Sequence, residues 1–123
     1  MSAAAGALSG KRILLVEDEF IVAAMLEDVL RGLGALVVGP AYRLPDGLRL
    51  AVDEAIDVAI LDVNIEGERS DAIADALAAR HIPFVLATGY GDGESRHGAQ
   101  VLTKPYTPKM LAAALVRALE ARP

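Results

Sequence analysis

The sequence predicts an α/β fold, a doubly wound five-stranded parallel sheet with helices on both faces, and three features point there. Short apolar runs of strand length alternate five times with stretches whose apolar residues recur at helical spacing or with loops in their place. The run from Asp57 to Val63 is almost unbrokenly apolar, as expected of a strand covered on both faces, and the acid Asp62 emerges at its carboxyl end. At 123 residues the chain is long enough for one core and too short for two, and with no Cys it has neither a disulfide framework nor a thiolate metal site.

Charge narrows the function classes. A net charge of -5 argues against binding a phosphate backbone, and there is no helix-turn-helix, zinc finger or basic tail, so no nucleic-acid partner is expected. Charged residues interrupt every apolar run before it could span a bilayer, so no membrane segment is expected either. Residues 1–10 are small and Ala-rich, a poor secretory signal, and are expected to form a flexible tail on a cytoplasmic domain covering 11–122. The expected state is a monomer or weak dimer whose output passes through protein contacts.

In chain order, Lys11 to Val16 reads as the first strand, ending in Glu17-Asp18-Glu19. Ile21, Met25, Leu26, Val29, Leu30 and Leu33 form one stripe of a helix over Phe20 to Leu33, and Gly34 suits the left-handed residue that follows a helix. Ala35 to Val38 is a second strand, closed by Gly39-Pro40, and a weaker helix over Leu44 to Val52 opens with Pro45-Asp46. The third strand carries Asp62. After a loop over Asn64 to Arg69, Ser70 is the expected N-cap of an Ala-rich helix reaching Arg80. Pro83 to Ala87 is the fourth strand, ending at Thr88-Gly89. The Gly-rich stretch Tyr90 to Gly98 opposes a stable helix, so the fourth helix of the alternation is expected to be weak or absent. Gln100 to Thr103 is a short fifth strand, and Thr107-Pro108 caps a final helix with the stripe Leu111, Ala114, Leu115, Ala118 and Leu119.

If the strand order is the flavodoxin-like 2-1-3-4-5, the first and third strands meet at the switch point, and Glu17, Asp18, Asp62, Thr88 and Lys104 face one crevice. Three carboxylates so close repel unless a cation lies among them, and a hard ion of the Mg type takes such oxygen ligands. Asp18 and Asp62 are expected as direct ligands with the Asn64 main-chain carbonyl, and Glu17 as a partner through water. Lys104 and the Thr88 hydroxyl then offer a cation and a donor to an anion formed on Asp62, a set suited to phosphoryl transfer onto a carboxylate.

The segments Leu15-Val16-Glu17-Asp18-Glu19, Leu61-Asp62-Val63-Asn64, Ala87-Thr88-Gly89 and Thr103-Lys104-Pro105 resemble, in order and spacing, the receiver domain of two-component response regulators. The resemblance covers Lys11 to about Arg122. It implies that Asp62 is the phosphoacceptor, Glu17 and Asp18 the acidic metal pair, Thr88 and Lys104 the phosphate-sensing residues, and Lys104-Pro105 a cis peptide. It implies Mg2+ as cofactor, a histidine kinase or phosphotransfer protein as donor, an unidentified downstream protein, and no enzymatic activity beyond the domain's own phosphorylation and dephosphorylation. Pro83 to Gly91 is similar to the signature of the FATGUY subclass, with Leu86 where the name has Phe, and that subclass implies a stand-alone receiver served by kinases of the HWE or related type. Glu66 stands where a Pro commonly follows the acceptor, and Val101 replaces the usual aromatic switch residue, leaving Tyr90 and Tyr106 as substitutes.

Two other classes compete: a binding module that is never phosphorylated, and a small hydrolase with Asp62 as nucleophile, similar to haloacid dehalogenase phosphatases. The complete acid, Thr and Lys set opposes the first. Asn64, where the second needs an acid, opposes the second. His81 and His97 are expected to be exposed and to serve neither as ligands nor as phosphodonors.

Overall fold

The computed structural model describes residues 3–89 and 96–121. In chain order the elements are α1 (Ala3–Leu8), β1 (Arg12–Val16), α2 (Phe20–Gly32), β2 (Leu36–Ala41), α3 (Leu44–Asp53), β3 (Val58–Asp62), β4 (Asn64–Ile65), β5 (Glu68–Arg69), α4 (Asp71–Ala79), β6 (Phe84–Thr88), β7 (Gln100–Thr103) and α5 (Pro108–Glu120). Five strands form one sheet in the order β2-β1-β3-β6-β7, with every pairing parallel. This is the predicted 2-1-3-4-5 order, with β6 and β7 as the fourth and fifth long strands.

Because side chains alternate along a strand, each strand feeds two cores. Ile13, Leu15, Val58, Ile60, Val85 and Leu102 pack on one face with α2, α5 and Leu8, while Leu14, Val16, Ala59, Leu61, Phe84 and Leu86 pack on the other with α3 and α4. β3 lies at the centre with all five residues buried, which explains its lack of polar alternation. Among the described residues no helix is long and apolar enough to cross a membrane.

Local chemistry accounts for most boundaries. After α2, Gly34 adopts φ +83 and donates to the Arg31 carbonyl, the left-handed stop expected there. Thr107 Oγ1 accepts from the Met110 N–H at 3.1 Å, capping α5 as predicted. In α3, Gly47 lets the helix close on its neighbours, since a Cβ there would lie 2.8 Å from Ile73 Cδ1 and 3.2 Å from Val16 Cγ1.

Four expectations need correction. Residues 3–8 are not a flexible tail: α1 packs against α5, Leu8 is fully buried, and the Gly10 N–H donates to the Gly34 carbonyl at 2.8 Å. The second strand does not stop at Gly39-Pro40 but runs on to Ala41, which a sheet edge tolerates because no further strand needs the missing proline N–H. The stretch after β3 is not all loop. It folds as a two-strand antiparallel hairpin, β4 with β5, turned by Glu66 (φ 53) and Gly67 (φ 85), the paired positive φ values of a tight hairpin turn. Ser70 does not cap α4 with its side chain. The fourth-helix expectation falls mostly on residues 90–95, which lie outside the described residues, and Arg96 to Gly98 form a turn.

Candidate functional site

Three strand ends converge on one cluster. β1 delivers Glu17 and Asp18, β3 ends in Asp62, and β6 ends in Thr88, with Lys104 just past β7. The pairing of β1 with β3 and of β3 with β6 makes these ends adjacent, so chain topology brings the groups together. Glu17, Asp62 and Thr88 are buried; Asp18 and Lys104 are partly exposed.

Asp62 is held from several sides. Its Oδ2 accepts from Lys104 Nζ at 2.7 Å and its Oδ1 from the Asn64 N–H at 3.1 Å. Behind the carboxylate, Ser70 Oγ donates to the Asp62 main-chain carbonyl at 2.5 Å, with the Val63 carbonyl 3.2 Å away. Ser70 therefore anchors the strand end that carries Asp62, a role its position as a helix N-cap concealed in the sequence.

The three acids each place a carboxylate oxygen so that all lie within 4.8 Å of one another. Burial first, and then the neighbouring Asp62, push the Glu17 carboxyl up to about 8 against the lowering effect of Lys104. Lys104 Nζ is also 3.7 Å from Glu17 Oε2, and although burial opposes its charge, the bond to Asp62 keeps its pKa above the usual lysine value. One lysine thus faces two buried carboxylates, with Asp18 a third acid at the rim. A compact set of hard, like-charged oxygens fits a hard divalent cation, which would relieve the repulsion that one ammonium leaves.

Asp18 Oδ2 accepts from the Glu66 N–H at 2.8 Å, and Asn64 Oδ1 from the Gly67 N–H at 2.9 Å, so the β4–β5 hairpin leans on the acidic rim. Of Asn64, the amide N–H is the group that engages Asp62. Thr88 is buried beside the cluster, its Oγ1 only 3.3 Å from its neighbour Gly89's carbonyl, and its own carbonyl accepts from the Lys104 N–H at 2.8 Å. The Lys104–Pro105 peptide is cis, as the resemblance implies. Strand pairing and these hydrogen bonds therefore bring Glu17, Asp18, Asp62, Asn64, Thr88 and Lys104 to the same end of the sheet. His81 and His97 lie away from it; both are exposed, and His97 bonds to Asp75 at 2.8 Å.

Solved structures with this fold include several response regulator receiver proteins. SdrG from Sphingomonas melonis Fr1 is 46% identical, covering 98% of this chain and 100% of that one, with a TM-score of 0.78. The chain is a response regulator receiver domain. No family model matches it. Over 114 residues, 87% of this receiver, it is 31% identical to the phyllosphere-induced regulator PhyR of Methylorubrum extorquens, of which it covers 43%. The chain spans about half the length of the curated relatives it matches. The receiver domain of sensor histidine kinase PA1611 from Pseudomonas aeruginosa, 24% identical over 92% of this receiver and 100% of that chain, shares the fold with a TM-score of 0.79; that protein has a magnesium ion coordinated in its active site cleft.

Proposed function

We propose that this receiver accepts a phosphoryl group on Asp62 from a histidine kinase or phosphotransfer protein, in a Mg2+-dependent reaction, and acts as a phosphorelay component, phosphate sink or protein-binding switch. The observation that carries the reading is Asp62 itself: a buried carboxylate at a strand end, oriented by Asn64 and Ser70 and paired with Lys104 beside two further acids.

In the transfer, an Asp62 carboxylate oxygen attacks the phosphorus of a phosphohistidine. The O–P bond forms as the P–N bond breaks, and the imidazole nitrogen keeps the electron pair and takes up a proton. The chain's part is positioning and charge. The Asn64 N–H and Lys104 fix the carboxylate, and Ser70 holds the backbone behind it. Lys104 and Thr88 then supply a cation and a hydroxyl to the new phosphoryl oxygens. Glu17, Asp18 and Asp62 would hold the Mg2+, which when bound neutralises charge among the acids and on the entering group.

The domain's own chemistry ends there, so we class it as a signalling acceptor and not an enzyme acting on a separate substrate. Its match to SdrG over 100% of that chain supports a receiver of the stand-alone kind, which we place in the cytoplasm. The stretch Pro83 to Gly91 supports the FATGUY subclass and, with it, an HWE-type donor. The test is intact mass after incubation with acetyl phosphate, with and without Mg2+. One added phosphoryl group is expected with Mg2+, none without it, and none in Asp62→Asn. An unmodified wild type sinks the reading, and turnover of acetyl phosphate without an adduct points to a hydrolase.

A further inference from the structure

Of the three clustered acids, Asp18 has the fewest constraints. Glu17 and Asp62 are buried and share the Lys104 ammonium, whereas Asp18 stands half-buried at the rim, between the end of β1 and the start of α2. Among the described residues, the hydrogen bond that holds its carboxylate comes from far along the chain: the Glu66 N–H donates to Asp18 Oδ2 at 2.8 Å. With φ 53 at Glu66 and φ 85 at Gly67, the two N–H groups of the β4–β5 turn go to different acceptors, Glu66's to Asp18 and Gly67's to Asn64 Oδ1 at 2.9 Å. The base of the hairpin is tied as well. Ile65 is buried in the core, and the Asn64 N–H donates to Asp62 Oδ1 at 3.1 Å. Hydrogen bonds therefore run from Asp62 through Asn64 and the hairpin tip to Asp18. The Glu66 side chain stands outside this chain of bonds, its exposed carboxylate 3.7 Å from the exposed Arg43 guanidinium.

We propose that the tip of the β4–β5 hairpin, through the Glu66 N–H, positions Asp18 to ligate the divalent cation. The proposal rests on the Mg2+ reading of the acidic cluster and adds to it a residue that lies outside the cluster. An aspartate at a half-buried rim has rotamer freedom that cation binding must remove, and a donor already fixed to one of its carboxylate oxygens removes that freedom beforehand. A hydrogen bond of this kind orients a ligating carboxylate, and its loss weakens metal binding by about 10–100-fold. Because the same bonds reach Asp62 at their other end, the tip also sets the two acids relative to each other. Gly67 is where the tip can be broken without touching any acid. A Cβ there would meet nothing within 4 Å, so a substitution acts through the positive φ alone.

The test is a Mg2+ titration of the full, EDTA-treated chain, followed by its amide resonances. Gly67→Val, whose branched side chain opposes the positive φ, should weaken Mg2+ binding about 10-fold. Gly67→Asn, which tolerates that φ, and Glu66→Ala, which keeps the N–H and removes the carboxylate, should both bind close to the wild type. Gly67→Ala, with milder strain, replaces the valine variant if that one does not fold. In the wild type, Mg2+ should also slow hydrogen exchange at the Glu66 amide, a response that a purely structural hairpin would not give. Wild-type affinity in the strained variant, a loss of the same size in Gly67→Asn or Glu66→Ala, or a Glu66 amide that exchanges no slower with Mg2+ overturns the proposal and leaves the metal and phosphoacceptor readings standing. A wild type whose amides do not respond to Mg2+ overturns the metal reading and the proposal with it.

Discussion

Lys104 Nζ lies 2.7 Å from Asp62 Oδ2 and only 3.7 Å from Glu17 Oε2, so a single ammonium is shared between two buried carboxylates. The carboxylates outnumber the cation, and Asp18 adds a third. The arrangement gives up stability for function: the cluster attracts a divalent ion and a phosphoryl group because it is not neutral without them.

Removing the lysine should expose that imbalance. In Lys104→Ala the Asp62 carboxylate keeps its Asn64 N–H contact and its hydrogen bond with Glu17 but loses its cation, and the stability of the protein in EDTA should fall by about 1–3 kcal/mol, the cost of leaving a buried acceptor without its charged partner. Mg2+ should recover most of the loss. Urea unfolding in EDTA and in Mg2+ measures both, and an unchanged midpoint in EDTA would show that the contact contributes nothing.

Glu17 sets the pH dependence. Its folded pKa, pushed up to about 8 from 4.5, means that the folded state binds more protons than the unfolded state between those values. Stability in EDTA is therefore greatest, for this group, below pH 4.5, and falls as pH rises through about 8. A bound divalent cation favours the ionised form, so the slope should flatten in Mg2+. Chemical unfolding across pH 5 to 9 in the two conditions is the measurement. A flat profile in EDTA, or one that Mg2+ leaves alone, contradicts the assignment.

Ser70→Ala tests the support behind the acceptor. The substitution leaves the Asp62 carbonyl without its hydroxyl donor in a buried site, at a cost of about 1–2 kcal/mol. It should also slow adduct formation, because the carboxylate loses the anchor that orients its strand end. Time-resolved intact mass with acetyl phosphate reads the rate. A destabilised protein that is phosphorylated at the wild-type rate would limit Ser70 to a structural role.

What could be read from the residues, and what could not, follows from range. Apolar runs ending in acids placed Glu17, Asp18 and Asp62, since strand burial and strand ends are local properties of the chain. Ser70 was visible only as a helix cap, because its bond to the Asp62 carbonyl spans eight residues and depends on the strand's depth. The β4–β5 hairpin escaped because two-residue strands leave no periodicity to detect, and Glu66 takes a positive φ without being Gly. The continuation of β2 through Pro40 was hidden by a rule that holds for central strands and not for edges.

The first helix is the clearest case, and it yields the last prediction. Residues 3–8 are Ala and Gly except for Leu8, a composition with no stripe to reveal a buried face, yet Leu8 is fully buried in the core shared by α2 and α5. A six-residue helix is not stable alone, and among the described residues the Leu8 side chain and the Gly10–Gly34 bond tie this one to the rest of the fold. Leu8→Ala should therefore cost about 2–3 kcal/mol, the lower part of the range for a buried leucine because a terminal segment can collapse into the space. Urea unfolding gives the size of the loss, and hydrogen exchange gives its place: protection should fall in α5, against which α1 packs, and hold in α3 on the opposite face. If Leu8→Ala unfolds at the wild-type midpoint, the segment contributes nothing to the core and the flexible-tail expectation was right after all.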